Sequence, residues 1–127
     1  MDYKNMTFGE FIIQKRKERD MSARQLAHSL KISAVYMCDI EKGRKSPDSD
    51  GFLDNLRKTL ALSEEEADIM YDLVAVARNS VSPDLPRYIM ENELVRAALR
   101  TAKKNQASDE KWMKFIEEVT LERGSAE

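Results

Sequence analysis

Apolar residues recur along this chain at spacings of three and four, and alternating apolar and polar runs bounded by turn residues are missing. That periodicity predicts amphipathic helices and no sheet. Helix starts are marked by a repeated pattern, a Ser or Thr three residues before a Glu or Gln: Thr7 and Glu10, Ser22 and Gln25, Ser63 and Glu66. In such a capping box each side chain bonds a backbone N–H that the first helical turn leaves without a partner.

The first predicted helix runs from about Phe8 to Arg19, with Phe8, Phe11 and Ile12 on one face and Lys15, Lys17 and Arg19 continuing it as a basic end. A short second helix carries Leu26, Ala27 and Leu30. Ser33 caps a third helix only three residues after Leu30, a gap that admits nothing but a tight turn. This third helix, about Ala34 to Lys42, turns Met37 and Ile40 inward, and Gly43 is placed to end it in the left-handed conformation. An exposed basic loop of Arg44, Lys45, Ser46 and Pro47 follows.

A fourth helix presents Phe52, Leu53, Leu56 and Leu60, and a fifth, ending near Arg78, presents Ala67, Met70, Tyr71, Val74 and Ala77. Residues 79–86 contain Ser82-Pro83 and Leu85-Pro86; proline opposes helix continuation, so this stretch reads as a linker. Beyond it, Leu94, Val95, Ala98, Leu99 and Ala102 mark one helix, and Ser108 caps another bearing Trp112, Phe115, Ile116 and Val119. The expected fold is all-α with seven helices: a five-helix domain over residues 1–78, then a C-terminal helical hairpin over 87–127. Residues 124–127 are expected to fray.

Composition fits a helix-rich globular protein, with 35% charged residues, 42% hydrophobic residues, 4 Gly and 3 Pro. The net charge of -2 hides a split that matters more. Residues 1–60 carry 12 Lys/Arg against 9 Asp/Glu, whereas residues 61–127 carry 9 against 14. Only the first half has the sign that phosphate contacts need. The single cysteine, Cys38, excludes an intramolecular disulfide, and no secretion signal or window of roughly 20 apolar residues is visible. A soluble cytoplasmic protein, not associated with a membrane, is expected.

Little enzymatic chemistry can be assembled. His28 and Cys38 fall short of the three or four ligands of a zinc site, and there is no Gly-rich phosphate loop and no convincing nucleophile-base set. No enzyme activity, metal or cofactor is expected. The acidic run Glu64-Glu65-Glu66 suits the first turn of the fifth helix, where it meets the positive end of the helix dipole.

Two short helices joined by a tight turn are what a protein needs to lay one helix in the major groove of DNA while the other braces it, although the same unit also serves as plain packing. The stretch Phe8 to Leu62 resembles the Cro and phage-repressor helix-turn-helix regulators, the XRE family. The resemblance rests on Lys15-Arg16, Leu26-Ala27, Ile32-Ser33, Ile40-Glu41, Lys42-Gly43-Arg44 and Pro47 in that order and spacing. It implies a structural ion pair between Arg16 and Glu41, and it makes the third helix the recognition helix.

On that reading Ala34, Val35, Tyr36, Cys38 and Asp39 are candidates to face bases. Ala34 and Val35 suit thymine methyl groups and Asp39 a cytosine amino group, there being no Arg, Asn or Gln in the helix for bidentate readout. Lys15, Lys17, Arg24, Lys31, Lys42, Arg44 and Lys45 are candidate phosphate contacts, or simply solvated surface charges. Two positions depart from the family pattern: Ala23 stands where a contacting glutamine is common, and Lys31 where a turn glycine is usual.

The function implied is a sequence-specific DNA-binding transcriptional regulator, a repressor acting as a homodimer on double-stranded DNA. The alternative is an antitoxin-like or mobile-element regulator whose C-terminal part binds a cognate toxin or protease. For the hairpin, packing on the N-terminal domain, dimerisation and binding of another protein all remain open.

Overall fold

The computed structural model describes residues 5–47 and 49–125. Among these residues eight helices follow one another and no strand occurs: α1 (Phe8–Glu18), α2 (Ala23–Ser29), α3 (Ala34–Glu41), α4 (Asp50–Thr59), α5 (Glu64–Arg78), α6 (Pro86–Glu91), α7 (Glu93–Lys104) and α8 (Asp109–Ser125). The helix beyond the expected seven is α6. Pro86, read from the sequence as the close of a linker, instead opens this helix. Proline lacks the N–H that a first helical residue leaves unused, and its fixed φ already suits the helix.

The local signals act where their spacing puts them. All three capping boxes form, with Thr7, Ser22 and Ser63 accepting from the backbone N–H of Glu10, Gln25 and Glu66. Ser33 and Ser49 cap α3 and α4 by accepting from Tyr36 and Phe52. Gly43 follows α3 with φ of 77°.

The chain divides into two units, one ending at Pro86 and one beginning at Arg87. In the first, Phe11, Ile12, Leu26, Met37, Ile40, Leu53, Leu56, Leu60, Met70 and Val74 form a core with almost no exposure. Phe52 is only half-buried, and Ala77, expected on the inner side of α5, is exposed. Helices α1 and α3 approach closely because residue 9 is glycine: a Cβ there would stand 2.2 Å from the carbonyl oxygen of Glu41.

In the second unit none of residues 87–123 is buried. The Arg96 guanidinium closes the end of α6 by donating to the carbonyls of Ile89, at 3.0 Å, and Met90. Helices α7 and α8 are joined by a turn in which Gln106 has φ of 50° and the Ala107 N–H donates to the Ala102 carbonyl at 2.9 Å. Between them lies an apolar groove of about 340 Å³, lined by Tyr88, Val95, Leu99, Trp112 and Phe115 among others.

Candidate nucleic-acid interface

The turn between α2 and α3 is set by Lys31, whose φ of 59° reverses the chain. The N–H groups of Lys31 and Ile32 donate to the carbonyls of His28 (3.1 Å) and Ala27 (3.0 Å), closing the end of α2. A non-glycine residue held there costs on the order of 1 kcal/mol, offset by these bonds and by burial of Leu30. A short helix, a tight turn and a second short helix result.

Arg16 and Glu41 fix α3 relative to α1. The Arg16 Nε donates to Glu41 Oε2 at 2.8 Å and its Nη2 donates to Oε1 at 3.1 Å, a two-pronged pair. A further donor, Nη1, reaches the Met21 carbonyl at 3.3 Å and ties in the loop after α1. The side chains are only 13% and 8% exposed. The hydrogen bond to Glu41 raises the Arg16 pKa above its ordinary value, burial opposes it, and the attraction of the two charges adds to it. Removing either partner leaves a largely buried charge uncompensated.

Met37 and Ile40 anchor α3 in the core, which turns Ala34 and Val35 outward; Val35 is 73% exposed. Tyr36 packs against the edge of the core, and Cys38 is half-buried. Of the candidate cations, Lys17, Arg24, Lys31, Lys42, Arg44 and Lys45 are exposed.

Two sequence-derived roles change. Lys15 is buried, 3% exposed, and its Nζ lies 2.8 Å from Glu66 Oε2 and 3.4 Å from Glu18 Oε2. It joins α1 to α5 and leaves the set of candidate phosphate contacts. Asp39 is not a freely projecting acceptor: its carboxylate lies 3.7 Å from both Arg44 Nη1 and Lys45 Nζ, and its carbonyl accepts from the N–H groups of Arg44 (2.8 Å) and Lys45 (3.3 Å). Lys45 also lies 5.8 Å from the centre of the Tyr36 ring. Asp39 therefore gathers the loop after α3, so that the two loop cations and the helix form one charged surface.

The Lys15 link was open to inference from spacing. Phe8, Phe11, Ile12 and Lys15 share one helical stripe, so a lysine at the last position falls on the buried face. What the spacing could not supply was Glu66, 51 residues further on, as its partner. Among the described residues no group of three or more His, Cys, Asp or Glu is placed to hold a metal ion, and no helix is long and apolar enough to cross a membrane.

No protein-family model matches the chain, and no curated protein matches it. Among solved structures, one titled as a complex of SinR protein and SinI protein aligns with 93% of this chain and 99% of that chain, at 19% identity and a TM-score of 0.44. A likeness of that degree assigns neither a family nor a function.

Proposed function

We propose that this chain is a sequence-specific DNA-binding transcriptional regulator, a repressor that holds a pseudo-palindromic operator as a homodimer. The observation that carries the reading is the outer surface of α3: an apolar tip, Ala34 and Val35, on a helix whose following loop sets Arg44 and Lys45 beside Asp39 and which the Arg16–Glu41 pair holds at a fixed angle. In the proposed complex α3 of each subunit enters the major groove, where Ala34 and Val35 contact thymine methyl groups. Lys17, Arg24, Lys31, Lys42, Arg44 and Lys45 neutralise phosphates and supply most of the affinity without reading sequence. Repression follows from occlusion of the promoter.

A second reading is favoured by the unburied apolar second unit: an antitoxin-like regulator whose C-terminal part also engages a cognate toxin or protease. The two roles are compatible, and a stable one-to-one complex with a different protein would mark the second.

The reading is tested by selecting binding sites from random duplex DNA with the purified protein. A palindromic site is expected to emerge, to be lost with Val35→Glu, and to be bound more weakly with Arg44→Ala whatever the sequence. Failure to enrich any site at low salt contradicts the proposal.

A further inference from the structure

We propose that the apolar face of the second unit is where a second copy of this chain docks, α7 of each copy lying along α8 of the other. This locates the contact that the proposed homodimer needs and rests on that part of the functional reading, yet it is testable without DNA.

Three observations converge on it. First, the unit has no core of its own. Leu94, Met113, Phe115 and Ile116 are 85%, 68%, 55% and 62% exposed, and none of residues 87–123 is buried. A segment of about 40 residues generally needs a disulfide, a metal or a partner chain to hold a fold. Residues 87–127 contain no Cys or His, which leaves association.

Second, the groove between α7 and α8 is shaped for side chains. Its lining is almost wholly apolar, and Trp112 and Phe115 meet edge to face at 6.1 Å between ring centres, a rigid wall against which an aliphatic residue can pack.

Third, the charges beside the apolar stripe are self-complementary. On α7, Arg100 and Lys103 stand one and four positions beyond Leu99; on α8, Glu118 and Glu122 stand three beyond Phe115 and Val119. The ion pairs among the described residues all lie in the first unit, and none of them involves these four. A two-fold axis that sets α7 against the partner's α8 brings basic and acidic edges together twice.

The test is sedimentation of the full chain without DNA. The wild type is expected as a dimer of about twice 14.6 kDa at micromolar concentration. Two surface charge reversals, Glu118→Lys with Glu122→Lys and Arg100→Glu with Lys103→Glu, should each weaken self-association at least about tenfold. Their equimolar mixture should recover wild-type affinity as a heterodimer, an outcome that misfolding cannot imitate. A monomeric wild type, whether the face is covered by the first unit or kept for another protein, overturns the proposal, as do variants that dimerise unchanged or a mixture that does not recover. None of these outcomes bears on whether the first unit binds DNA.

Discussion

A methyl group added at Gly9 would stand 2.2 Å from the Glu41 carbonyl oxygen and 2.8 Å from that of Ile40, both backbone atoms at the end of α3. Glycine inside a helix ordinarily costs about 0.5–1 kcal/mol relative to alanine, so by propensity alone Gly9→Ala would stabilise the protein. The contact reverses that sign, because α3 must move away or α1 must bend. We expect Gly9→Ala to destabilise by about 1–3 kcal/mol in urea unfolding, the range of overpacked cores. A stabilised variant would show that the approach of α1 to α3 is looser than the geometry states. Nothing in the sequence near Gly9 marks this role; it depends on Glu41, 32 residues away. By contrast the capping serines and threonine were legible, since their partners lie three residues off and the bond is a property of the segment itself.

At the scale of elements, the pairing of helices goes beyond what apolar spacing conveys. The five helices of the first unit were readable because each carries an apolar stripe between clear start signals. The sixth was not, because a proline reads equally as the end of one segment and the first residue of the next. How α5 is tied to α1 needed the fold: Lys15 reaches Glu66, and Arg19 Nη2 lies 3.6 Å from the same carboxylate. The Lys15 hydrogen bond, reinforced by the Ser63 N–H, lowers the Glu66 pKa from 4.5 to about 2. Because the folded pKa is depressed, the associated stability is fully present above about pH 4.5 and is lost as pH falls toward 2. Glu66→Gln should cost about 3 kcal/mol near neutrality, since the buried Lys15 ammonium loses the carboxylate 2.8 Å from it, and should flatten this acid limb. Denaturation across pH 2–7 checks both, and a wild-type acid limb retained in the variant would assign the effect to other carboxylates.

For the molecule as a whole, the division of charge visible in the sequence matches the division of labour proposed here. The exposed candidate cations lie in the first unit, and the acidic surplus belongs to the second half of the chain. The charge split and the helix-turn-helix were legible in the sequence, but the set of candidate contacts was drawn too wide: Lys15 is buried, and Asp39 is engaged by Arg44 and Lys45. Six exposed cations remain as candidates for phosphate contact: Lys17, Arg24, Lys31, Lys42, Arg44 and Lys45. If four of them are engaged in each half of a dimer, the logarithm of the binding constant should fall with the logarithm of salt concentration at a slope near -7, at about -0.9 per phosphate.

That slope, measured by fluorescence anisotropy of the purified protein on a labelled duplex from about 50 to 200 mM salt, decides whether the α3 surface holds DNA. A slope steeper than about -4, reduced by roughly 2 in a dimer carrying Arg44→Ala, is the result predicted. Binding that is absent at the lowest salt, or that hardly changes across the range, would contradict the assignment of this surface to DNA.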